Sequence, residues 1–241
     1  MIFSENVVTR VEDFDNYGVM RLSALLEIFE NIGNHHSETV NDSAIENSIN
    51  GMAWILTEWY VQIDKMPEFR NNLCADTWIS AKFSGVRSDR NFILKKSDGE
   101  IMVRAVARLS ILDLKSNKIV RIPENHLQMY KAEENGVFDF RLPKVHPFDA
   151  PSEEKTLAVR RSDIDFNGHV HNTVYPEYAE EVLEEELFKN KNVQTLQIVY
   201  RLPLRYGDCA VVSRSDQENG FGIKISSQEE TCCLIRISLR S

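Results

Sequence analysis

Leu22, Leu25, Leu26 and Phe29 recur at i, i+3, i+4 and i+7, the spacing of one helix face, and predict a helix opening near residue 22. Residues 31–50 are polar and poor in periodicity, which predicts a loop or a frayed extension. Strand-like apolar runs follow at residues 53–63, 73–83, 91–96 and 101–114, with Ser97-Asp98-Gly99 as the clearest tight turn. The same order then returns. A helix is expected over residues 174–189, and strands over 195–202, 209–214, 222–227 and 232–239, with residues 216–220 as a loop. One helix followed by antiparallel strands, twice over, predicts an α+β protein with two domains of like design, each a long helix wrapped by a curved antiparallel sheet. Pro143, Pro147 and Pro151 sit in a charged stretch of linker composition, so the expected domains are residues 1–130 and 155–241, joined by 131–154.

The two halves resemble each other in sequence as well. Residues 8–30 align with 159–181 at an offset of 151, which matches Asn16 to Asn167 and Val19 to Val170. Residues 67–75 align with 203–211 at an offset of 136. In this register Phe14 stands opposite Asp165 and Gly18 opposite His169, with Asp13 and Asp15 out of step. A single active site, in the second half, is the expectation.

The candidate chemistry lies in Asp165-Phe166-Asn167-Gly168-His169-Val170-His171-Asn172, directly before the second predicted helix. An extended backbone would send Asp165, Asn167 and His169 to one side. A helix start beside them would add backbone N–H donors for an oxyanion. An acid or base, an amide and an anion site are what hydrolysis of a carbonyl requires. Asp165 is equally suited to fixing the turn before the helix. Glu181 lies seven residues after Val174, which places it near the same helix stripe as Tyr178 and Val182, where a carboxylate is costly unless it is paired or working.

With Arg161-Ser162-Asp163-Ile164 before it and Tyr175, Tyr178 and Glu181 behind, this segment resembles the signature of the fatty acyl-ACP thioesterases, tandem hotdog-fold enzymes of plastids and bacteria. Arg21-Leu22-Ser23-Ala24-Leu25-Leu26 and Trp54-Ile55-Leu56 extend the likeness into the first half. The resemblance implies a double hotdog that hydrolyses fatty acyl-ACP to free fatty acid, with acyl carrier protein as partner and no cofactor. It assigns catalysis to Asp165, Asn167, His169 and Glu181. An acyl-CoA thioesterase and a non-catalytic acyl-chain binder are the alternatives. Two departures stand out. The family's glutamate, followed by cysteine or a small residue after Tyr-Arg, is replaced by Pro203 and Leu204, and His171 replaces the first Asn of the usual pair.

Composition narrows the classes further. The chain has 241 residues, 42% of them hydrophobic, and carries a net charge of −9 from 37 acidic and 28 basic residues. This argues against a general nucleic-acid binder. An acidic partner would need a local basic patch, for which Arg87, Arg90, Arg104, Arg108, Arg141, Arg160, Arg161 and Arg205 are the candidates, although a scatter of solvated arginines is the leading expectation. No run approaches the ~20 apolar residues of a membrane span, and no signal pattern opens the chain, so a mature cytoplasmic protein, monomer or homodimer, is the expectation. Asp165, His169 and His171 have ligand chemistry but lack a further ligand at recognisable spacing, so no metal is expected. Cys74, Cys209, Cys232 and Cys233 read as buried reduced thiols. No Ser or Cys sits in a nucleophile-elbow pattern, which disfavours a covalent mechanism.

Overall fold

The computed structural model describes residues 1–81, 85–148, 150–189 and 192–240. They form two compact units that do not follow the chain halves. The first holds Met1–Thr9, Glu27–Lys65 and Arg70–Leu142; the second holds Arg10–Leu26, Met66–Phe69 and Pro143–Ser241.

In chain order the strands are β1 (Phe3–Val7), β2 (Met52–Ile63), β3 (Leu73–Ile79), β4 (Ser88–Lys96), β5 (Ile101–Asp113), β6 (Lys118–Val120), β7 (Glu153–Ala158), β8 (Val193–Tyr200), β9 (Cys209–Gln217), β10 (Gly220–Ser227) and β11 (Glu230–Leu239). The helices are α1 (Leu22–Thr39), α2 (Ala44–Ile49), α3 (His126–Met129), α4 (Val174–Glu180) and α5 (Glu185–Lys189). Strand order in the first unit is β1-β3-β4-β5-β2, all antiparallel, with β6 added on β5. The second unit runs β7-β9-β10-β11-β8, also antiparallel. Each strand of the second order is the counterpart of one in the first, so the sequence repeat is a repeat of topology.

The core of the first unit is aromatic. Phe29 of α1 is fully buried, with its ring centroid 5.0 Å from that of Phe92 and 6.1 Å from that of Trp59. In the second unit α4 lies on β10 and β11, and buries Tyr175, Tyr178 and Ala179. Cys232 and Cys233 are buried as expected, whereas Cys74 is half-buried and Cys209 is exposed at the start of β9.

Several elements differ from the sequence expectation. Residues 31–39 continue α1 instead of fraying, because the apolar stripe goes on through Ile32 to a buried polar residue, His36. Periodicity counted on apolar residues alone stops at a stripe position occupied by histidine. Residues 44–49 form a further helix, α2, closed by a capping box between Ser43 and Glu46. The expected linker is structured at both ends. Trp78 Nε1 donates to the Asn135 carbonyl at 2.9 Å, Phe138 and Phe140 pack edge-on to Tyr60, and β7 pairs with β9. The helix expected over 174–189 breaks at 181–184, where Arg214 Nη1 takes the Val182 carbonyl at 2.9 Å and Lys155 takes that of Glu181. The last residues of the expected 73–83 strand lie outside the described residues.

His36 belongs to a buried polar cluster in the first unit. Arg90, 5% exposed, contacts His36 Nδ1 at 3.3 Å and donates to Ser37 Oγ at 2.9 Å, and its guanidinium lies 5.0 Å from the Tyr130 ring centroid. The Tyr130 hydroxyl donates to Asp42 at 2.8 Å, which also accepts from Trp54 Nε1 and Asn47. His126 adds an Nε2 contact to Ser88 Oγ at 3.0 Å. Burial, reinforced by the charge of Arg90, holds the His36 imidazole down at about 4. Burial and Arg90 hold His126 at about 4 as well, against the pull of Asp42. The Tyr130 hydroxyl is pushed up to about 12, chiefly by burial.

Candidate active site

The loop before α4 is built from backbone hydrogen bonds, not from an extended strand. A single 3-10 turn, Arg161–Asp163, opens it. Asp163 is 2% exposed, and its carboxylate accepts from the Arg160 backbone N–H at 2.8 Å, from Arg160 Nε at 2.8 Å and from the Tyr178 hydroxyl at 2.5 Å. This staples the loop to α4. A tight turn follows, closed by Asp165 N–H to the His169 carbonyl at 2.8 Å and Gly168 N–H to the Asp165 carbonyl at 3.0 Å. Gly168 sits at φ +78°, where a side chain would strain the backbone.

The turn corrects the expected alternation of Asp165, Asn167 and His169 along a strand. Asp165 Oδ1 accepts from the Asn167 N–H at 2.8 Å and from the His169 N–H at 3.2 Å, and Oδ2 takes Asn167 Nδ2 at 3.4 Å. Of the two roles open to Asp165, its hydrogen bonds serve the turn. Asn167 is exposed at the tip. His169 is half-buried, and its Nε2 is buried without a hydrogen-bond partner among the described residues. Burial lowers the imidazole pKa, and the positive charge of Arg205 lowers it further, against Asp165. The ring is therefore neutral near pH 7, with an available nitrogen, which is the state a general base requires.

The expected oxyanion donors at the helix start are largely engaged. Val170 N–H donates to the Leu204 carbonyl, His171 N–H to that of Asp163 and Val174 N–H to that of His171, at 2.8, 2.8 and 3.0 Å. Leu204, at the place of the family's downstream acid or thiol, is fully buried, and its N–H donates to the Tyr175 hydroxyl at 3.1 Å. The substitution there serves packing. His171 turns its Nδ1 to Thr173 Oγ1 at 2.6 Å.

The first-half loop repeats this turn bond for bond, in a register that sequence alignment missed. Asp15 N–H donates to the Val19 carbonyl at 2.8 Å, Gly18 N–H to the Asp15 carbonyl at 3.0 Å, and Asp15 Oδ1 accepts from Tyr17 and Val19. Gly18 has φ +71°. The offset is thus 150 (165 − 15), not 151. Asp15 matches Asp165, Tyr17 replaces Asn167 and Val19 replaces His169. Met20 N–H bonds the Pro67 carbonyl as Val170 does that of Leu204, which makes the second offset 137 (204 − 67), not 136. The single-residue error came from favouring the Asn16–Asn167 identity, whereas the glycine and aspartate that the turn requires fix the true register.

Glu181 is exposed, contrary to its expected place on the buried stripe. That stripe runs through Tyr175, Tyr178, Ala179 and Val182, while Val174 is only half-buried, and the helix stops at Glu180. The buried-edge carboxylate is instead Glu180. It lines a cavity of about 130 Å³ beside Asp15, Tyr17, Arg21, Met66 and Leu187, at the first-half loop. Burial pushes its carboxyl up to about 7 against the pull of Arg21. Sequence reasoning passed over Glu180, for which the only cue was its adjacency to Glu181. It also gave no role to Asp163, although the Ser-Asp-x-Asp spacing carries it.

Comparison with known proteins decides the family. The profile described as the acyl-ACP thioesterase N-terminal domain matches residues 1–130, and that of the C-terminal domain matches residues 148–240. The chain belongs to the acyl-ACP thioesterase family. Among curated relatives of this family, a chloroplastic palmitoyl-acyl carrier protein thioesterase of Cuphea hookeriana is 26% identical over 157 residues, 62% of this chain and 38% of its own length. Oleoyl-acyl carrier protein thioesterase 1 of Arabidopsis thaliana is 20% identical over 226 residues, 86% of this chain and 61% of its own. The chain thus spans less than two thirds of these relatives' length. An acyl-ACP thioesterase from Bacteroides thetaiotaomicron superposes with a TM-score of 0.89 at 20% identity, covering 99% of this chain and 98% of that one. The 12:0-ACP thioesterase from Umbellularia californica gives 0.88 at 16% identity, over 99% and 97%. The fold of this family member is the double hotdog. Among its described residues, no helix is long and apolar enough to cross a membrane.

Proposed function

We propose that the chain hydrolyses fatty acyl-ACP thioesters, with His169 as general base and acyl carrier protein as the partner that delivers the substrate. The observation that carries this reading is the neutral His169 imidazole, its buried Nε2 unpartnered, on a turn held by Asp165 in a chain matched along both halves by one thioesterase family. His169 takes a proton from water as the water oxygen attacks the thioester carbonyl carbon. The C–S bond then breaks, and the imidazolium returns the proton to the departing thiolate. Fatty acid and free thiol leave, and the histidine is neutral again. Asn167, exposed at the turn tip, orients the water or the carbonyl. Asp165 positions both residues through the turn. The Glu181 assigned by resemblance has no part in these steps, and Glu181→Gln is expected to keep kcat/KM within about twofold of wild type. A tenfold loss would return the helix carboxylate to the mechanism.

The test is thiol release from a ladder of acyl-ACPs, run beside the matching acyl-CoAs. Release from acyl-ACP at higher kcat/KM than from acyl-CoA supports the reading, and the reverse order would make the chain an acyl-CoA thioesterase. A second reading rests on Leu204, which removes the downstream acid: an acyl binder without turnover. A bound acyl-ACP that stays intact through prolonged incubation would favour it.

A further inference from the structure

The two loop copies differ in more than their imidazole. With the registers fixed at 150 and 137, Arg161 of the second copy stands where the first has Val11, and Ser162 where it has Glu12. Arg205 stands at Glu68. Arg201 stands at Asp64, and the backbone confirms the match: Arg201 N–H and Leu202 N–H share the Cys232 carbonyl, as Asp64 and Lys65 share that of Met102. Arg160 and Arg10 occupy the same place in both copies, each with its backbone N–H on the aspartate three residues ahead, so Arg160 belongs to the turn. Two positions, Asp64/Arg201 and Glu68/Arg205, change sign between the copies, Val11/Arg161 gains a positive charge and Glu12/Ser162 loses a negative one.

These arginines are exposed, and among the described residues no carboxylate lies within ion-pair distance of Arg161, Arg201 or Arg205. They are interleaved with exposed apolar side chains. Phe166 at the turn tip is 87% exposed, Tyr206 55% and Leu202 43%. The Arg161 guanidinium lies 4.4 Å from the Tyr206 ring centroid, and the Val170–Leu204 hydrogen bond ties the 201–207 segment to the loop. Arginine with exposed aromatics is the composition of a protein-binding patch, and a positive patch on a chain of net charge −9 selects a negative partner.

We propose that Arg161, Arg201 and Arg205, with Phe166 and Tyr206, form the docking face for an acidic surface of the acyl carrier protein beside the His169 loop. This rests on the carrier-linked substrate proposed above. The first copy has Val11, Asp64 and Glu68 at the places of the three arginines and so lacks these positive charges, which directs the carrier to the loop that carries the imidazole.

The test pairs binding with turnover in the Arg161→Glu/Arg201→Glu protein; Arg205 is left intact because it also acts on His169. Affinity for fluorescently labelled holo-carrier, read by anisotropy, is expected to fall at least ~10-fold, and wild-type affinity to weaken as salt rises from 50 to 500 mM. KM for acyl-ACP should rise by a similar factor with kcat within about twofold. Hydrolysis of the same acyl group on free pantetheine should stay at the wild-type rate, which also reports intact folding. Unchanged carrier affinity would overturn the docking face, as would an equal loss on both substrates. Absence of turnover on either substrate in wild type would sink the hydrolase reading, while the anisotropy result would still decide the docking face.

Discussion

Replacing His169 by alanine is expected to lower kcat for thioester hydrolysis by about 10²- to 10⁴-fold, the usual worth of a positioned general base. The melting temperature should hold or rise, because the substitution removes a buried nitrogen that has no hydrogen-bond partner among the described residues. KM should change little, since the proposed base acts on water rather than on the acyl chain. The pH profile supplies a second readout. The His169 pKa is lowered below 6.5 by burial and by Arg205, so activity should persist into mildly acidic solution and fall only below that ordinary value. Arg205→Gln removes one of the two causes and should move the acid limb upward in pH. An acid limb that stays in place would mean that another group sets it. Full activity in a folded His169→Ala protein would remove the proposed mechanism.

Acid should also unfold the first unit earlier than its carboxylates alone would dictate. His36 and His126 titrate near 4 when folded, against 6.5 when unfolded. Between those values the unfolded chain binds more protons, so stability falls as pH drops from about 6.5 to about 4 and levels off below. Linkage sets the loss at up to about 3 kcal/mol for each histidine. In the second unit Glu180, raised to about 7, works in the opposite direction, since protonation suits its folded site. Urea unfolding of wild type and of His36→Gln/His126→Gln at pH 7, 5.5 and 4.5 separates these effects. The variant should start less stable and lose much less on acidification. Equal slopes in the two proteins would show that the buried histidines do not govern acid sensitivity.

Much of the fold was legible because its strands alternate and its first helix keeps an apolar stripe from Leu22 to Phe29. What escaped was polar residues doing apolar work. His36 continues the α1 stripe, but as a member of a buried hydrogen-bonded cluster whose partners, Arg90 and Tyr130, are 54 and 94 residues away. At the break after Glu180, Arg214, 32 residues from Val182, takes the Val182 carbonyl. The site segment was found from its residues, yet its conformation was misjudged. Alternating polar positions suggested a strand, whereas aspartate two and four residues before accessible N–H groups, with glycine between, specifies a closed turn. The likeness of the halves was visible in sequence; its register became certain only from matched backbone bonds.

The turn around Asp15 is built to the same pattern as that around Asp165 while lacking an imidazole, so in this molecule the aspartate is retained where no proton transfer can depend on it. For duplicated chains of this kind, an aspartate in the signature therefore attests to a well-formed loop and says nothing about whether that copy is active. Under the mechanism proposed above, the discriminating position is four residues later, His169 in one copy and Val19 in the other.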